Sequence, residues 1–167
     1  MIAFLLAALL APWAHPLSFQ PLPGWQTGAS GTTHSAYGQP AATSRPLESS
    51  AWIARNVRYR DRATADPPNR TLAHLPATGV VVWAVIYTPV ASNPPPRPIR
   101  LDLAQAHHLR CCDGPVTVVG GTDELTGYGP SRAYSVIVRV YFGSRPTAAL
   151  RAAAQRALDR LRLPSPR

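Results

Sequence analysis

One stretch of the chain is apolar at every position. Val80–Tyr87 reads VVVWAVIY, entered from Gly79 and closed by Thr88 and Pro89. A short β-branched and aromatic run with no polar parity predicts a central strand covered on both faces. Tyr134–Phe142, YSVIVRVYF, predicts a second strand that stops at Gly143. Elsewhere the pattern alternates. In Ser50–Tyr59, Ile53, Val57 and Tyr59 share one parity, which predicts a half-buried strand with Arg58, Arg60 and Arg62 along its other side. Ile99, Leu101 and Leu103 alternate with Arg100 and Asp102 and predict another. Thr71–Leu75 reads as a helical turn, and Asp113–Pro130, with its many glycines, as loops around Val116–Val119, with Asp123 and Glu124 adjoining in a turn.

The period changes after Gly143. Leu150, Ala154, Ala157, Leu158 and Leu161 fall on a narrow helical arc, flanked by Arg151 and Arg162 on one side and Arg156 and Arg160 on the other. Gln155 and Asp159 point away. Ser144 reads as the N-cap, Pro146 as part of the first turn and Pro164 as the stop. Strands followed by one terminal helix, without strand–helix alternation, predict an α+β fold: a mainly antiparallel sheet or small sandwich with the helix packed on it.

The N-terminal segment follows neither pattern. Residues 2–11, IAFLLAALLA, form an unbroken apolar run. As a helix the run rises about 15 Å, half of the roughly 30 Å bilayer core. It fits the apolar region of a secretory signal peptide, with cleavage after Ala11 or Ala14. The expected organisation is a signal peptide over 1–14, a Gly/Pro/Ser-rich linker or loosely packed segment over 15–48, and one globular domain over 49–167. Phe19 and Trp25 are the residues that would pin the linker. Export places the mature chain in the cell envelope or the medium.

Composition adds charge. The chain has 17 basic side chains, all arginine, against 8 acidic ones, a formal net charge of +9. The absence of lysine, with many Ala and Pro residues, points to a GC-rich bacterial genome rather than to guanidinium chemistry. A positive protein outside the cytosol is drawn to anionic lipid headgroups and wall polymers, and salt weakens that attraction. Aromatic residues interleaved with the arginines, as nucleic-acid stacking needs, are nearly absent, so no specific nucleic-acid partner is expected.

Thr71–Tyr87, TLAHLPATGVVVWAVIY, and Tyr134–Pro164, YSVIVRVYFGSRPTAALRAAAQRALDRLRLP, resemble a pattern found in small exported proteins of high-GC bacteria. It has a Leu-Pro–Gly step into a valine-rich strand and a VYFG strand leading into an alanine-rich helix. The resemblance implies fold and compartment, and no functional residue.

Candidate chemistry concentrates in His107-His108-Leu109-Arg110-Cys111-Cys112-Asp113. Imidazole and thiolate ligate zinc and copper, but adjacent residues on an extended strand point to opposite faces and no Cys-x-x-Cys spacing occurs. His107, His108, Cys111 and Cys112 are therefore weak metal candidates, and no cofactor is expected. In an oxidising compartment Cys111 and Cys112 could instead close a strained vicinal disulfide. His74 with Asp66, and His107 with Asp102, are the base–carboxylate pairs the sequence offers; no Gly-x-Ser-x-Gly elbow is present. Arg58, Arg60 and Arg62 are candidate contacts for an anionic surface. The balance favours an exported non-enzymatic domain that binds a partner or an anionic envelope surface. The alternative is a small extracytoplasmic hydrolase or redox enzyme built on the His107–Asp113 region.

Overall fold

The valine-rich run forms the middle of a sheet, because neither of its faces can be left in water. The computed structural model describes residues 13–15, 17–35, 47–58, 60–61, 68–88, 99–109, 121–129 and 134–166. In chain order they form β1 (Trp13–His15), β2 (Ser18–Phe19), β3 (Gln26–Ser35), β4 (Leu47–Arg55), α1 (Asn69–Ala73) and β5 (Val80–Thr88). A 3-10 turn at Leu103–Gln105, β6 (His107–Leu109), β7 (Thr122–Tyr128), β8 (Ser135–Phe142), α2 (Ala148–Leu158), β9 (Leu161–Arg162) and β10 (Ser165–Pro166) follow. Six strands build one antiparallel sheet in the order β3-β4-β5-β8-β7-β6. The fold is α+β and mainly β, with the C-terminal helix packed on the sheet.

Strand β5 lies between β4 and β8, and Val80 to Val85 are all buried. Its two parities serve two cores. Val80, Val82, Ala84 and Ile86 join Val136, Val138, Val140, Phe142 and Leu125 beneath Ala154, Ala157 and Leu158 of α2. Val81, Trp83 and Val85 join Tyr141 on the opposite face, under Leu72 of α1. Each fully buried Val contributes about 1.5–3 kcal/mol relative to exposure, so this strand holds both layers.

The sequence reading needs correction at several elements. The segment read as a linker over 15–48 contributes to the fold: β3 pairs along β4 from Gln26↔Arg55 to Ser35↔Leu47. A ladder of backbone hydrogen bonds needs no apolar period, and QTGASGTTHS has none. Leu17 and Phe19 are buried in the main core, and Trp25 packs against it. Strand β4 ends at Arg55, short of the Tyr59 expected. Ile99, Leu101 and Leu103 do cover the main core, but as an extended segment and a 3-10 turn rather than a strand. Asp123 and Glu124 sit on a strand, β7, not in a turn.

The helix is shorter than its hydrophobic arc. Thr147, not Ser144, is its N-cap, the side chain accepting from the Leu150 N–H. It ends at Leu158, before Pro164, and Leu161 is buried from β9 instead. Gln155 does not face away. Its Oε1 accepts from Leu103 N at 2.8 Å and its Nε2 donates to Leu101 O at 2.8 Å, tying the 99–103 segment to the helix. Gly143 follows β8 where the backbone of Pro76 and Ala77 comes so close that no Cβ would fit.

The two ends of the described chain meet. Strand β2 pairs with β9, Ser18↔Arg162 and Phe19↔Leu161, and β1 pairs with β10, Trp13↔Pro166 and His15↔Ser165. The apolar run over residues 2–11 and the Val116–Val119 segment lie outside the described residues. No helix among the described residues is long and apolar enough to cross a membrane.

Candidate functional site

Two groupings of charged residues stand out. The first lies where β6 joins β7 at the sheet edge. The register sets His108 opposite Asp123 and His107 opposite Glu124, so the two histidines face opposite sides. Residues directly opposite in an antiparallel pair share a face and come within side-chain reach. His108 Nδ1 lies 2.8 Å from Asp123 Oδ1, and Arg151 Nη1 on α2 donates to Asp123 Oδ2 at 2.6 Å. The carboxylate side chain is 7% exposed, the imidazole 56% and the guanidinium 42%.

This grouping is built, not incidental to the strand. Asp123 shares a parity with Leu125, which is in the main core, so its carboxylate sits beneath α2, where a charge is costly unless paired. Arg151 supplies the pairing, and its guanidinium lies 4.8 Å above the Phe142 ring. The His108 ring rests on Gly121, whose φ is +93°. A Cβ at that position would stand 2.5 Å from His108 Cε1.

The other face of β7 carries a parallel arrangement. Arg139 Nε donates to Glu124 Oε2 at 2.6 Å, and the guanidinium lies 5.8 Å from the Trp83 ring. Burial works against the Arg139 charge, but Glu124 and Tyr141 outweigh it, and the pKa rises above its ordinary value.

The second grouping surrounds α1. Asp61 accepts from Arg70 N and Thr71 N, both at 2.8 Å, and from the Thr71 hydroxyl at 2.5 Å. Thr71 Oγ1 in turn accepts from Arg60 N at 2.9 Å. This clasp holds the backbones of Arg60 and Arg70 together with its acid turned to main-chain work. Arg58, Arg60 and Arg70 are all exposed. Arg58 and Arg60 do not line a strand face as expected, because β4 has ended at Arg55; they follow it in the turn towards α1. Arg62 lies outside the described residues.

The remaining sequence candidates separate. Asp102 caps the 3-10 turn by accepting from Ala104 N at 2.9 Å. His74 Nδ1 lies 2.9 Å from Arg70 O, and Asp66 is outside the described residues. Cys111, Cys112 and Asp113, and with them the vicinal disulfide, are also outside them. Among the described residues no three of His, Cys, Asp and Glu gather as metal ligands, and adjacency on β6 keeps His107 from joining His108.

Sequence reasoning paired neither His108 with Asp123 nor Arg70 with the other arginines. The usable signal for the first was weak: Asp123, Leu125 and Gly127 alternate with Glu124, Thr126 and Tyr128. The chain matches no family model, no curated protein and no solved structure.

Proposed function

We propose that the protein is an exported domain that docks on an anionic surface of the cell envelope through Arg58, Arg60 and Arg70. The observation that carries this reading is the Asp61–Thr71 clasp. It ties together the backbones of two exposed arginines, Arg60 and Arg70, while occupying the neighbouring carboxylate with Arg70 N, Thr71 N and the Thr71 hydroxyl, and the exposed Arg58 lies two residues before Arg60. Among the described residues none of the three has an ion-pair partner. The net charge of +9 adds a long-range pull towards such a surface, and the apolar run over residues 2–11 supports the compartment.

Co-sedimentation with vesicles tests the reading. The protein binds vesicles rich in phosphatidylglycerol at low salt, ignores phosphatidylcholine vesicles, and is released as salt shortens the screening length below about 10 Å. Replacing Arg58, Arg60 and Arg70 together by Gln abolishes binding. Replacing the exposed Arg100, Arg145 and Arg156 by Gln removes the same charge and leaves most of it. Equal losses in the two triple variants would reduce the effect to net charge and overturn the assignment.

A further inference from the structure

We propose that His108 is the general base of a hydrolytic activity towards activated carboxylic esters, with Asp123 as its positioning residue and Arg151 holding Asp123 in place. The proposal uses none of the arginines of the α1 clasp and stands independently of the docking role.

The hydrogen bonds fix the tautomer. A carboxylate only accepts, and the other oxygen of this one, Oδ2, accepts from Arg151 Nη1 at 2.6 Å. The 2.8 Å contact between His108 Nδ1 and Asp123 Oδ1 therefore requires the proton on Nδ1. That leaves the Nε2 lone pair on the far side of a ring that is 56% exposed. Among the described residues nothing bonds Nε2.

Orientation is fixed as well. The ring is held by the carboxylate at one end and lies on the bare backbone of Gly121, where any side chain would collide with it. A histidine oriented by a buried carboxylate and offering Nε2 outward is the arrangement that general-base catalysis uses. Arg151 bonds the other oxygen of the same carboxylate, on the Nδ1 side of the ring, so its part is to hold Asp123 in place beneath α2.

The step balances without any further reagent. Nε2 takes a proton from water as the water oxygen bonds to the carbonyl carbon and the carbonyl electron pair moves onto oxygen. The tetrahedral species then re-forms its C=O bond and expels the alkoxide. The alkoxide takes the proton back from Nε2, and the ring returns to its starting tautomer. The His108 side chain is 56% exposed at the β6 edge of the sheet, within reach of a small ester.

The test is hydrolysis of p-nitrophenyl acetate by the full chain near neutral pH, measured against equimolar free imidazole. The protein exceeds imidazole by about 10²-fold, the lower end of general-base catalysis. His108→Gln removes that excess, and His107→Gln, on the opposite face of β6, keeps it. Asp123→Asn lowers the rate and shifts the midpoint of the pH–rate profile, which a purely structural role would not do. A wild-type rate no greater than that of imidazole, or an excess retained in His108→Gln, overturns the proposal. An Asp123→Asn profile identical to wild type overturns the positioning role. Thermal melts confirm that each variant is folded, and His108→Gln, at a half-exposed ring, decides the matter if Asp123→Asn does not fold.

Discussion

Single side chains show how the fold treats polar groups it must bury. Tyr134 is fully buried at the start of β8, and its hydroxyl donates to Pro164 O at 2.8 Å. Burial pushes its pKa up from 10.0 to about 12. A phenol whose folded pKa is raised holds its proton more tightly in the folded state. Its contribution is therefore complete below about pH 10 and is lost as pH rises towards 12. Two units correspond to about 2–3 kcal/mol. Denaturant titrations across this window should show wild type losing that much more stability than Tyr134→Phe. The chain contains no lysine, so no ammonium titrates over the same interval. Equal losses in the two proteins would refute the assignment. The same scale shows why the His108 site escaped the sequence. Asp123 lies in a glycine-rich stretch, and Gly121 and Gly127 made it read as a turn, although Gly121 is there to clear the His108 ring.

Among the elements, those with an apolar period were legible. Strands β5 and β8 and the buried face of α2 follow from their apolar patterns, because β5 has no polar face to leave in water and α2 has one apolar arc that must be covered. Helix α2 offers a direct check. Leu158 is fully buried in the main core, whereas Arg156 is exposed. Leu158→Ala should cost about 2–5 kcal/mol and Arg156→Gln less than about 1 kcal/mol, read from thermal or denaturant melts. A silent Leu158→Ala would remove the helix from the core. Strands β3 and β7 were not legible. The first is made of polar or small residues, and the second mixes two acids with a glycine, so neither carries a period of two that stands above its surroundings. Gln155 was misplaced for a different reason. The helical wheel assigns it to solvent, but an extended backbone segment lies over that flank and uses the amide for its own N–H and C=O groups.

At the scale of the molecule, the pairing of the two ends bears on maturation. Export predicts a new N-terminus after Ala11 or Ala14. Strand β1 contains Trp13 and Ala14, whose ladder with β10 a cut after Ala14 would destroy. We therefore expect the exported protein to begin at Pro12. N-terminal sequencing of protein recovered from the medium of a secreting host checks this. Recovery of intact Met1 from the cytosolic fraction alone would contradict export. The basic surface, the sheet edge and the end-to-end ladder involve different residues, so substitutions at one should leave the other two measurable.

The end-to-end ladder also sets a timetable. Ser18 and Phe19 are among the first residues of the described chain to be synthesised, yet their strand partners, Arg162 and Leu161, are among its last. Gln20 waits as long, because its N–H donates to Arg160 O at 2.9 Å. Until residues 160–162 have been made, Leu17 and Phe19 lack part of the core wall against which they pack. Contacts between such distant parts of a chain form slowly. A product that stops short of residue 160 lacks the β2–β9 ladder and the Leu161 side chain of the main core, and its N-terminal segment is expected to be held less tightly.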